Sequence, residues 1–147
     1  MSQYLKFVLE RAGAPPFPRI RILPYQEEWA NRQMVDEFQA AFPGTEIALT
    51  PEAASAGPDL IVLPHMYGFL EERPGGLDLY RKLSASRGAW VMLYGLDYRR
   101  IKVLPAEKLL AYYRWAILVR KLEWWLAKAH VTGVIRRTRR LREWLCE

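Results

Sequence analysis

Two short all-apolar runs, Leu60-Ile61-Val62-Leu63 and Ala89 to Tyr94, constrain this chain more than any other feature. Neither alternates with polar residues, and both have strand length, so each fits a strand covered on both faces. Asp59 precedes the first run and Pro64 stops it. Arg19 to Leu23 alternates Ile20 and Ile22 with Arg19 and Arg21, which reads as a strand ended by Pro24, and Thr45 to Thr50 reads as another. Between these two, residues 27–42 repeat Trp29, Met34, Val35, Phe38, Ala41 and Phe42 at three- and four-residue spacings. That spacing predicts a helix with one apolar face, closed by Pro43-Gly44. Leu77 to Ser86 reads as a helix between the two all-apolar strands, and Pro51 to Gly57 as a turn or a single helical turn. Strands alternating with helical crossovers predict an α/β fold, a three-layer sandwich built on a mostly parallel sheet.

The 147 residues suffice for one ordinary domain, and a hydrophobic share of 51% excludes a disordered or low-complexity class. Residues 2–12 read as a short helix with Leu5, Val8 and Leu9 on one side, ended by Gly13 and the run Pro15-Pro16-Phe17-Pro18. Three regions are expected: an N-terminal helix and Pro-rich linker over 1–18, an α/β body over 19–105, and a basic helical extension over 106–147. The single cysteine, Cys146, permits no intrachain disulfide and no cysteine metal cluster. No uncharged apolar run has the roughly 20 residues of a membrane span, and the N-terminal apolar stretch is too interrupted for a signal peptide. A cytoplasmic protein without a membrane span is the expectation.

Charge is concentrated at one end. Residues 1–105 hold 12 basic and 12 acidic side chains, and residues 106–147 hold 10 and 4, so the net charge of +6 belongs to the extension. Four of the six tryptophans, Trp115, Trp124, Trp125 and Trp144, lie there too. A helix is predicted from Pro105 onward, with Glu107, Arg114, Lys121 and Lys128 seven residues apart on one narrow stripe. Leu109, Leu110, Tyr112, Tyr113, Ile117, Leu118, Val119, Leu122, Trp124 and Trp125 cover most of the rest. One sheet face cannot bury all of these, so the helix is expected to be covered on a second side, by the N-terminal helix or by a second subunit. Leu109, Tyr112, Tyr113, Val119, Trp124 and Trp125 are the expected homodimer contact. After Gly133 a second amphipathic segment carries Arg136, Arg137, Arg139, Arg140 and Arg142 with Trp144 at its margin. Five arginines in seven residues suit an anionic partner, either a protein or the phosphates of DNA or RNA.

The middle of the chain, about residues 19–118, resembles the receiver domain of two-component response regulators, which has a flavodoxin-like fold. Pro58 to Leu63 looks like the strand leading to the phosphoacceptor, Gly75 to Leu83 like the glycine-led helix after it, and Trp90 to Leu93 like the next strand. Ile101 to Leu110 looks like the lysine strand and the start of the last helix, with Lys102 at the position of the lysine. The resemblance implies a signalling domain, but not its chemistry. Phosphorylation in that family needs an acidic pair to hold magnesium and an aspartate nucleophile. Those positions read Pro24-Tyr25 and Pro64-His65 here, and Tyr94-Gly95 replaces the switch hydroxyl. A degenerate receiver that takes up no phosphate is the expectation. Residues 95–100 are also too few for a helical crossover, so Ile101 to Leu104 either pairs antiparallel at an edge or is no strand.

His65 lies just beyond a central strand's carboxyl end, where open α/β sheets bind ligands. With Tyr94, Asp97 and Lys102 it outlines a small polar pocket, the alternative enzymatic site. No loop with a phosphate-binding or dinucleotide fingerprint occurs, and no second ligand stands at metal spacing from His130. The sequence reading is therefore a non-catalytic regulatory or assembly protein without metal or cofactor. It would self-associate through its C-terminal helix, with nucleic-acid binding by the basic tail as the alternative.

Overall fold

The computed structural model describes residues 2–25, 28–52, 57–64, 76–94 and 101–128. The elements are helix α1 (Ser2–Arg11), strand β1 (Arg19–Ile22), helix α2 (Glu28–Ala41), strands β2 (Glu46–Leu49) and β3 (Leu60–Pro64), helix α3 (Gly76–Ser84), and strands β4 (Trp90–Tyr94) and β5 (Lys102–Pro105). A 3₁₀ turn (Ala106–Lys108) then leads into helix α4 (Leu109–Lys128). The chain divides into two compact units, Met1–Leu109 and Leu110–Glu147.

The first unit holds one five-stranded sheet in the order β2-β1-β3-β4-β5. The first four strands are parallel, and β5 returns antiparallel to β4 with Leu93 opposite Lys102 and Trp90 opposite Pro105. The antiparallel edge is what the short connection over 95–100 permits, and the order is compatible with a flavodoxin-like layout. The chain steps from β1 outward to β2 but from β3 the other way to β4. Right-handed crossovers in opposite directions put α2 and α3 on opposite faces.

Burial follows this plan. Ile20, Ile22, Leu60, Val62, Met92, Tyr94 and Val103 face one side and form a core with Leu5, Leu9, Met34, Phe38 and Ala41. Their neighbours Ile61, Leu63, Val91 and Leu93 are equally buried on the other side, as are Tyr80 and Leu83 of α3. All of β3 is enclosed, which is why its sequence shows no alternation.

Helix α1 is part of this unit. Its apolar side packs on α2 and β5, so Leu5 and Leu9 are used within the first core. Gly13 ends it at φ 68°, with the Gly13 amide donating to the Glu10 carbonyl at 2.9 Å and the Ala14 amide to the Leu9 carbonyl at 3.0 Å. That pair of bonds is a Schellman cap, and its left-handed residue is favourable for glycine.

Trp29 departs from expectation: it is 64% exposed. At 100° per residue it lies about 160° around α2 from the buried line Asn31, Met34, Phe38 and Ala41. The polar Asn31 takes the inward place. Its Oδ1 accepts from the Tyr25 amide at 2.7 Å and its Nδ2 donates to the Tyr25 carbonyl at 3.0 Å. One side-chain amide thus satisfies both backbone groups of Tyr25 in the β1–α2 connection.

Candidate functional site

The strand-end pocket is only partly within view, since His65 and Asp97 lie outside the described residues. Of its other two members, Tyr94 is buried in the core, its ring 5.9 Å from that of Phe38. The Tyr94 hydroxyl donates to Glu37 Oε2 at 2.6 Å. Lys102 pairs with Leu93, one residue from Tyr94, and side chains alternate along a strand, so Lys102 projects from the opposite face of the sheet. Tyr94 and Lys102 do not converge on a common site. The expected grouping of these two is corrected by strand register: adjacent positions at one strand end face opposite layers. Among the described residues, no group of three His, Cys, Asp or Glu could hold a metal ion.

The Tyr94 hydroxyl therefore has a structural partner. Tyr94→Phe is expected to lower stability by about 1–2 kcal/mol, as for a partly buried bond to a carboxylate, with no change of fold. A urea titration checks this, and an unchanged midpoint would show that the bond contributes nothing in solution.

The concentrated feature is α4. Leu109 is enclosed in the first unit, and Val119 and Leu126 are buried. Tyr112, Ala116 and Glu123 are half-buried and fall on the same side as Val119 and Leu126, at spacings of four, three, four and three. A second line is left in solvent: Trp115 (60% exposed), Leu118 (56%), Leu122 (46%) and Trp125 (62%). These four recur at three, four and three residues, the spacing of a helix–helix seam. At 100° per residue they span only about 80° of the circumference. Trp124, 66% exposed, lies about 180° from Trp115, on another side of the helix.

Of the residues expected to make a subunit contact, Leu109 and Val119 are thus inaccessible in the single chain. Tyr112 and Tyr113 are half-buried, and Trp124 and Trp125 are exposed on different sides. Trp115, Leu118 and Leu122 complete the stripe that Trp125 belongs to. Sequence periodicity alone could not separate the two apolar lines of α4, because both follow the same three-and-four rhythm and differ only in what covers them.

The apolar stripe is substantial. Two indoles some three-fifths exposed leave on the order of 300 Å² of aromatic surface, before the two leucines are added. Contiguous apolar patches of that size are among the largest a monomer's surface usually carries and are often functional. Along one flank of the stripe run Arg114 and Lys121, both exposed, and the position of Lys128 continues the seven-residue repeat. Arg136, Arg137, Arg139, Arg140, Arg142 and Trp144, expected to meet an anionic partner, lie outside the described residues. Among the described residues no helix is long and apolar enough to cross a membrane. No family model, curated protein or solved structure matches the chain.

Proposed function

We propose that this protein is a non-catalytic assembly protein, a receiver-like α/β scaffold that docks another protein chain on the exposed stripe of α4 and contacts anionic groups through its arginine-rich end. The observation that carries the reading is the line Trp115, Leu118, Leu122 and Trp125, exposed at seam spacing on a helix whose adjacent side is already buried. Water contact with that much apolar surface is unfavourable at about 25 cal/mol per Å², and removing it by docking supplies the driving force. Tryptophan and arginine are also the residues that most often dominate the energetics of protein interfaces.

The test places a photo-crosslinking amino acid at position 118 of the full chain, in the cells that make it, with position 87 as an exposed control on the first unit. Discrete protein adducts at 118, at least about tenfold above those at 87 and lost when Leu122→Glu is added, are expected. Equal yields at the two positions would overturn the docking role.

A further inference from the structure

We propose that the chain docked on α4 is an acidic amphipathic helix of a different protein, its apolar line seated on Trp115, Leu118, Leu122 and Trp125 and its carboxylates against the Arg114–Lys121 flank. This rests on the docking role proposed above and names its partner.

Width argues for a helix as the occupant. A face that lies in a membrane surface is a broad apolar arc of 100° or more, whereas a strip of about 80° at alternating spacings of three and four is the seam one helix offers another. Trp124, pointing away from that strip, could not enter a bilayer together with Trp115 and Trp125. In heptad terms Trp115 and Leu122 take one core position and Leu118 and Trp125 the other. Arg114, Lys121 and Lys128 then share a single flanking position, where charges select the partner.

Charge argues against the two nearest occupants. From Leu110 to Glu147 the chain has nine basic and three acidic residues, so the second unit carries +6, the whole net charge of the protein. A second copy docked on the seam in antiparallel fashion would set this basic flank against its own duplicate. In parallel fashion it would set the flank against the facing positions Val119 and Leu126, two buried apolar side chains that offer a cation no partner. The chain's own C-terminal segment, with five arginines between positions 136 and 142, has the same sign as the flank. Like charges juxtaposed across an interface suppress the pairing, and opposite charges set its register and speed its formation. An acidic helix satisfies both the seam and its flank, with small or leucine side chains facing the bulky indoles.

The test uses the full chain and three synthetic helical peptides with identical leucine and alanine core positions, whose flanking positions are glutamate, glutamine or lysine. Binding is read from the blue shift of tryptophan emission, with light scattering for the oligomeric state and vesicles of 30% phosphatidylserine in phosphatidylcholine as a third arm. The glutamate peptide is expected to bind at least tenfold more tightly than the glutamine peptide, the lysine peptide not at all. Arg114→Glu with Lys121→Glu should invert that order, and rising salt should weaken the binding. A free chain that is a dimer, dissociated by Leu122→Glu and indifferent to the glutamate peptide, would overturn the acidic partner while sustaining docking on α4. Binding to vesicles in preference to all peptides would overturn both, as would a monomer that binds nothing and whose emission is unaltered.

Discussion

Phe38→Ala should lower the stability of the first unit by about 3–5 kcal/mol, the usual cost of emptying a fully enclosed aromatic site. Phe38 has no solvent exposure, and its ring lies 6.2 Å from Phe42 and 5.9 Å from Tyr94. The cavity would open at the junction of α1, α2 and the sheet, where Leu5, Leu9, Ile20 and Met92 belong to the same core. Against a total of about 5–15 kcal/mol, such a loss removes a large share of the stability, and the thermal midpoint should fall by roughly 10 °C or more. Trp29→Ala, on the exposed side of the same helix, should stay within about 0.5 kcal/mol. Urea or thermal unfolding followed by circular dichroism distinguishes the two. A Phe38→Ala loss below about 1 kcal/mol would mean that this face of the sheet is loosely packed.

That contrast between Phe38 and Trp29 shows what could be read from the chain before its structure. Features carried by consecutive residues were legible. These include the enclosed strands β3 and β4, the glycine that ends α1, and the short span after β4, which leaves β5 either an antiparallel edge strand or no strand. Hydrophobicity alone assigns Trp29 to the apolar face of α2, whereas the inward position belongs to Asn31, whose amide holds the Tyr25 backbone. The pairing of Tyr94 with Glu37 crosses 57 positions and leaves no local trace. The proposed interaction surface was half legible. The sequence indicated that α4 carries more apolar surface than one face can cover. Which line stays in solvent depends on neighbours that periodicity does not name, so periodicity alone does not separate the buried Leu109 and Val119 from the exposed Trp124 and Trp125.

Asp59 is the clearest case of a long-range pair hidden from the sequence, and its removal is the second large expected effect. The side chain is 2% exposed at the amino end of β3. Arg19 Nε donates to its Oδ2 at 3.1 Å, Arg21 Nε lies 3.8 Å from the same oxygen, and the Asp59 carbonyl accepts from the Trp90 amide at 2.9 Å. One residue thus links β1, β3 and β4 at the amino ends of the strands, away from the carboxyl ends where α/β folds bind ligands. Asp59→Ala keeps the backbone bond but withdraws the carboxylate from Arg21, whose side chain is largely buried. The solvent-exposed Glu52, 3.8 Å from Arg21 Nη2, is a weak substitute. Removing one member of a buried ion pair costs about 3–5 kcal/mol, and the partial exposure of Arg19 places the expected loss near the lower figure. Arg19→Ala should cost less than about 1 kcal/mol, as for solvent-screened pairs. Arg21→Met combined with Asp59→Ala should be less destabilising than the sum of the two single changes, because the two side chains touch and either single change already removes their shared interaction. Urea unfolding of the three variants and the parent completes the cycle. Additivity within about 0.5 kcal/mol would show that Arg21 does not depend on Asp59, and that the β1–β3 pair is held by its backbone ladder and apolar faces alone.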